Sequence, residues 1–274
     1  MTAQVAGGIG RWEWLLPAGS YAGRSRMLLL RSATASRRTW PAILSGFAEP
    51  VFYLVAMGTG LGALVGTLPG PDGRELSYAA FIAPGLLAAS AMNGAVFDST
   101  FNVFFKLRDS KLYDAMLATP LGPLDIALGE IGWALLRGGL YATGFLTVMA
   151  VAGLITSPWA LLALPVALLV AFAFAAVGMA ATSFMRSWQD FDLVTLAVLP
   201  MFLFGTTFYP LSVYPRALQI VVECLPLFHA VELMRGLTTG AVQAGMLGHL
   251  AYFAVMAMVG VLFAARRLHA LLLR

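Results

Sequence analysis

The chain has 274 residues, of which 60% are hydrophobic and only 11% charged, with a formal net charge of +4. A typical soluble domain is about 45–50% apolar and about 25% charged, and a soluble fold of this size cannot hide so much apolar side chain. The composition excludes a cytosolic enzyme, an intrinsically disordered chain and a disulfide scaffold, and it predicts an all-α, polytopic membrane protein. In such a protein the basic excess is read by side of the bilayer, so nucleic acid is not expected as a partner.

The first 39 residues carry six arginines: Arg11, Arg24, Arg26, Arg31, Arg37 and Arg38. Their longest apolar run, residues 27–30, is too short for the core of a signal peptide, so this segment is expected to stay on the side where it is made. Arg24, Arg31 and Arg38 are seven apart and would share one stripe of a helix lying on anionic headgroups, although Leu28 falls near that stripe.

A membrane-spanning helix needs about 20 mostly apolar residues. Six segments qualify, at about 40–65, 78–105, 126–155, 159–184, 193–208 and 247–265, and together they form one permease-like domain over 40–265. The break at 153–158 is short enough for a tight hairpin. Of the lysines and arginines, six lie in the N-terminal segment, three in the loop after span two, one after span four (Arg186) and three in the tail 266–274. Only Arg74, Arg216 and Arg235 fall on the other side, and Arg137 lies within span three. The positive-inside rule then places both termini in the cytoplasm. The outer connection 209–246 is too apolar for a water-exposed loop and is punctuated by Pro210, Pro215 and Pro226. Short helices dipping into the outer leaflet fit it best, with any non-helical backbone packed against protein.

Polar groups inside spans are candidate functional residues. Glu49 precedes Pro50 in span one, where a kink or break is expected. Asn93 and Asp98 lie in span two. Glu130 and Arg137 lie in span three, seven apart on one face, and are expected to pair with each other or with Glu49. Gly58, Gly62 and Gly66, four apart, permit close helix approach, either within the chain or between copies.

Several chemistries are missing. Cys224 is the only cysteine, which leaves no internal disulfide and no cysteine-based metal site. His229, His249 and His269 are twenty apart, without HxxxH or HExxH spacing, and are read as non-ligands. No GxxxxGK[ST] phosphate loop exists, no GxSxG elbow, and MGTGLG has the wrong spacing for a dinucleotide site. Asp190 and Asp192 form only a DxD-like pair in a short turn. No enzyme chemistry, catalytic residue, metal or cofactor is therefore expected in this chain.

The cytoplasmic connection 106–125 opens with mixed charge and continues as a short helical run, 112–118. Tyr113, Met116 and Leu117 fall on one side of that run and Asp114 on the other. Thr119-Pro120 stops it, and Asp125 can cap the next span. A short amphipathic helix at that surface is a natural docking knob.

These pieces resemble the permease subunits of type-2 ABC exporters, above all those of the nodulation-factor, drug and polysaccharide export type. The likeness covers about residues 35–265. It is carried by FAEPVFYLVAMGTGLGALVG, YAAFIAPGLLAASAMNGAVFDSTF, KLYDAMLATPLGPLDIALGE, FLFGTTFYPLSVYP and LPLFHAVELMRGL. Tyr209 departs from the phenylalanine common before the first proline. The resemblance implies six spans, pairing with a second permease protomer (identical or a paralogue), residence in the cytoplasmic membrane, and a separate ABC ATPase subunit that binds ATP and Mg. It implies that Arg108, Asp109, Tyr113, Asp114, Met116 and Leu117 face that ATPase. It also implies a re-entrant outer gate over 209–246, with Gly205, Phe208, Tyr209, Pro210, Pro215, Pro226 and Arg235 as its marked residues. The transported substrate would be amphipathic or lipid-linked, against a wall containing Phe97, Phe101, Phe104, Phe202, Phe204 and Phe208. The alternative is a proton-coupled secondary transporter using Glu49, Asp98 and Glu130.

Overall fold

The computed structural model describes residues 23–36, 40–71 and 73–272. Arg11, Arg37 and Arg38 lie outside it, and of Asp109 and Asp114 only the backbone is described. The described residues contain eleven α-helices, one small hairpin and short π-helical and 3-10 segments.

Helix α1, Ser25–Ser36, is followed by α2, Trp40–Gly60, and a short α3, Gly62–Val65. Pro50 sits inside α2 without ending it. Strands β1, Thr67–Pro69, and β2, Glu75–Ser77, pair antiparallel with Leu68 opposite Leu76, a hairpin not foreseen from the sequence. The Ser77 hydroxyl then accepts from Ala80 N and caps α4, Tyr78–Phe97. Helix α4 continues through π-helical turns at Asp98–Asn102 and Phe105–Asp109, which carries the second span three residues past its expected end. Local hydroxyls compete for its backbone: Thr100 Oγ1 donates to Val96 O at 2.6 Å, and Thr182 Oγ1 of a neighbouring helix donates to Ser99 O at 3.0 Å. Such competition favours widened turns.

Helix α5, Leu112–Leu117, ends just before Thr119-Pro120, as the sequence requires. Helix α6, Pro123–Val151, starts with proline at its first position and with Asp125 reaching back to Gly122 N at 3.0 Å, half of a capping box. A tight hairpin follows, with Gly153 at φ +68°. It leads through a 3-10 turn, Pro158–Leu162, into α7, Ala163–Thr182. Helix α8, Phe191–Phe204, precedes α9, Arg216–Glu223, α10, Pro226–Thr239, and α11, Met246–Leu272.

Among the described residues, five helices are long and apolar enough to cross a membrane. They are α2–α3, the extended α4, α6, the 158–182 helix and α11. Helices α9 and α10 pass the same test only as a pair, bent by 84°. The expected fifth span, 193–208, is instead the 14-residue α8, about 21 Å long and short of a roughly 30 Å hydrocarbon core. It ends where Gly205 leaves helical geometry and Thr206 takes a φ of +60°.

The core is built on α4, α7 and α10, with residues 48–60 of α2 and most of α11 largely exposed. Large apolar side chains on the outside, such as Phe52, Leu140, Leu196 and Val255, suit a lipid environment. Close approach follows the glycines. A Cβ on Gly58 would lie 3.1 Å from Ala79 Cβ, so that position serves packing of α2 on α4 within the chain. Gly66 has the different task of turning the chain at φ +74°.

Candidate functional site

A cleft of about 940 Å³ opens between α2, α4, α6, α8 and the 208–214 segment. Its walls are apolar: Met57, Leu86, Val96, Val198 and Phe202 are typical. Phe97, Phe101, Phe204 and Phe208 also line it. Phe104 does not. It packs in a separate cluster with Met185 and Phe191, beside Trp188.

One end of the cleft carries the charge. Arg137 Nη1 donates to Asp98 Oδ1 at 2.7 Å, and Asn102 Nδ2 donates to the same oxygen. The Asp98 side chain is 4% exposed and that of Arg137 19%. One to two turns further along α4, Lys106 Nζ donates to Glu130 Oε2 at 2.6 Å. This corrects the expected Glu130–Arg137 pair. Seven residues place the two on one face of α6, but about 10 Å apart along its axis. Each instead meets the π-helical tail of α4, which lies alongside. Asp98 Oδ2, Glu130 Oε1, Arg137 Nε and Asn93 Oδ1 remain buried without a hydrogen-bond partner. Glu49 lines the cleft from α2, exposed and without an ion-pair partner among the described residues. Tyr53, one turn beyond it, and Tyr141, one turn beyond Arg137, also line the cleft. Neither tyrosine stands out in the apolar pattern of its span, although the i+4 spacing to Glu49 and Arg137 is legible there.

The end of the bundle below this charge cluster is a knot of three elements. Leu28 of α1 is buried against α6, where a Cβ on Gly129 would lie 2.6 Å from Leu28 Cβ. The residue that spoiled the basic stripe is thus the one that docks the helix. Arg24 N donates to Asp125 Oδ1 at 2.8 Å, and Arg24 Nη1 donates to Pro120 O at 3.1 Å. One carboxylate therefore fixes the starts of both α1 and α6. Arg108 Nη2 donates to Met185 O at 3.2 Å and ties the connection to the α7–α8 turn.

Helix α5 sits in this knot with three of the residues expected to face the ATPase, Tyr113, Met116 and Leu117, turned toward the bundle, while Arg108 is exposed. Tyr113 is 1% and Met116 7% exposed, both inside the chain's own core, and Leu117 packs against it. Tyr113 and Met116 anchor the helix, with Leu117 half-buried beside them, because a six-residue helix needs its apolar side to hold it in place. Burial, and then the adjacent Glu130 carboxylate, push the Tyr113 phenol well above its usual range. The outward residues are Arg108, Lys111, Ala115 and 118–120.

At the opposite end of the cleft, Gly205, Thr206, Thr207 and Phe208 form a buried non-helical stretch. Arg235 holds it. The side chain of Arg235 is 4% exposed. Its Nη2 donates to Thr206 O at 2.7 Å, its Nη1 to Glu232 Oε1 at 3.0 Å, and its guanidinium lies 4.0 Å over the Phe81 ring. Gly85 makes room, since a Cβ there would be 2.9 Å from Thr207 Cα. Tyr209 is exposed and Pro210 half-buried, Pro215 caps α9, and Pro226 opens α10. The marked residues of this segment thus split between a buried clamp (Gly205, Phe208, Arg235) and an outer rim.

Two of the three histidines meet. His229 Nδ1 and His249 Nδ1 are 2.7 Å apart although twenty residues separate them. Among the described residues, no three of His, Cys, Asp or Glu gather as a metal site. Asp190 accepts from the backbone N of Arg186 and of Ser187, at 2.6 and 3.1 Å. Its carboxylate is taken up in capping the turn, and these donors hold it below the usual carboxylate range.

The ABC-2 type transporter profile matches residues 25–239, from the start of α1 to the end of α10. The chain belongs to the ABC-2 type transporter family. It is similar to nodulation protein J of Rhizobium leguminosarum bv. viciae, 34% identical over 234 residues, which cover 85% of this chain and 88% of the relative. It is also similar to nodulation protein J of Rhizobium meliloti (34% over 218 residues; 78% and 81%) and of Neorhizobium galegae (33% over 223 residues; 80% and 79%). This ABC-2 chain is accordingly an all-α, multi-pass membrane permease, the transmembrane subunit of an ABC exporter.

Proposed function

We propose that this chain is the permease half of an ATP-driven exporter in the cytoplasmic membrane. A separate ABC ATPase subunit binds ATP and Mg and drives it. Both termini are cytoplasmic, two permease protomers pair across the cleft side, and an amphipathic or lipid-linked substrate moves outward. The 209–246 segment acts as the outer gate.

The observation that carries this reading is the knot of α1, α5 and the start of α6. It fixes a short helix rigidly to the bundle while leaving Arg108, Lys111, Ala115 and 118–120 facing out. A helix so anchored passes a push from a docked subunit into α4 and α6 through Tyr113, Lys106–Glu130 and Asp98–Arg137, as rigid-body tilting requires. Asp98 and Glu130 are each taken up by a cation, which leaves Glu49 alone for the carboxylate chain a proton-coupled transporter needs.

The test is purification of the tagged chain from its native membrane in mild detergent, with identification of co-purifying proteins and an ATPase assay. A stoichiometric ATPase that is lost on Ala115→Arg, but kept on Val255→Arg at the lipid-exposed face of α11, supports the proposal. An active preparation without a nucleotide-hydrolysing partner overturns it.

A further inference from the structure

His229 on α10 and His249 on α11 face each other at 2.7 Å, Nδ1 to Nδ1. A gap of that length holds one proton. With both rings neutral, one Nδ1–H donates to the bare Nδ1 of the other. A first added proton goes to an Nε2, and the shared proton stays in the gap. A second places an N–H on both facing nitrogens and sets two cations against each other.

The surroundings offer little to offset that repulsion. The Tyr252 ring lies against His229, tilted by 41° with ring centroids 4.3 Å apart, and Phe228 flanks both rings edge-on. Cys224, just before α10, is the other titratable neighbour, close to Tyr252. The 158–162 turn and α7, which pack on α10, carry no titratable residue; the 78–97 part of α4 contributes only Tyr78, and α6, which packs on α11, carries its charges, Asp125, Glu130 and Arg137, in its first half, with Lys106 and Arg137 balancing Glu130 and Asp98. On α8 the sole candidate is Asp192, at the far end of the helix, and on α9 Arg216 and Glu223 are exposed. Glu232, one turn along α10, is taken by Arg235.

We propose that His229 and His249 form a proton-operated latch: sharing one proton they hold α10 to α11, and the doubly protonated pair releases α10. The consequence for transport rests on the reading of 209–246 as the outer gate, which such a release would loosen at acidic pH. The latch itself does not depend on that reading.

Cys224 is the only cysteine in the sequence and is exposed, so a nitroxide attached there reports on the start of α10 without engineering. The experiment uses the full chain in lipid nanodiscs, which expose both faces, with spectra taken from pH 8 to pH 4.5. The expected result is a reversible gain in label mobility below about pH 6. It should be lost in both His229→Gln and His249→Gln, whose spectra at pH 8 match the parent. A pH-independent parent spectrum, or a transition that survives in both variants, overturns the latch. The same acid step applied to one face only, in oriented proteoliposomes, separately tests the sidedness of 209–246.

Discussion

Removing Asp98 or Glu130 distinguishes the observed ion pairs from the pairing that helix periodicity alone suggests. At 2.7 Å the Asp98–Arg137 contact has a gross Coulomb attraction of about 6 kcal/mol at an effective dielectric near 20. Breaking a buried pair from one side costs roughly 3–5 kcal/mol, because the other charge is left behind. The two directions differ here. Asp98→Ala strands Arg137, which is 19% exposed and can draw water from the cleft, so the cost should fall near 3 kcal/mol. Arg137→Ala strands a carboxylate that is 4% exposed, with Asn102 as its remaining donor, and proton uptake limits the cost to about 4 kcal/mol. The coupling energy from the double-mutant cycle should be about 2–3 kcal/mol. The Glu130/Arg137 cycle should give under about 0.5 kcal/mol, since those residues share no contact and Lys106 already neutralises Glu130. Denaturant unfolding in mixed micelles, followed by tryptophan fluorescence, supplies all the required free energies. Trp133, whose ring lies 5.9 Å from the Arg137 guanidinium, is a local reporter. A Glu130/Arg137 coupling larger than that of Asp98/Arg137 would refute the assignment.

Other outcomes follow from the same geometry. Arg235→Ala should cost about 3–5 kcal/mol by leaving Glu232 and the Thr206 carbonyl without their donor, and Arg235→Lys should not restore it, because one ammonium cannot reach both acceptors and still cover the Phe81 ring; unfolding midpoints of the two variants decide this. Gly85→Ala should cost about 1–3 kcal/mol, since its Cβ would fall 2.9 Å from the Thr207 backbone, whereas Gly248→Ala, with nothing within 4 Å, should be neutral in the same melt. The carboxylate of Asp190 is held below its usual range by backbone donors, so its contribution is present above the unfolded value near 3.9 and is lost as pH falls through the lower folded value. Amide exchange at Arg186 and Ser187 should accelerate only below about pH 4, and Asp190→Asn should remove that dependence; unchanged exchange in the variant would count against the cap.

Much of the architecture is legible in the sequence because its causes are local. Runs of about 20 apolar residues set the helices, Thr119-Pro120 ends α5, Pro123 and Asp125 start α6, and Gly153 turns the hairpin. The family likeness rests on the same linear patterns, and the ABC-2 profile covers them. What only the tertiary structure decided are the choices between partners that a single helix leaves open. Periodicity puts Glu130 and Arg137 on one face, but the π-helical tail of α4 brings Lys106 and Asp98 nearer to them than they are to each other. Amphipathicity marks Tyr113 and Met116 as the special side of α5, but only packing shows that this side turns inward. Nothing in a twenty-residue spacing joins His229 to His249, because the chain must first turn back after α10 to lay α11 beside it. A residue's type and face are properties of its own segment; its partner is a property of whichever segment folds against it.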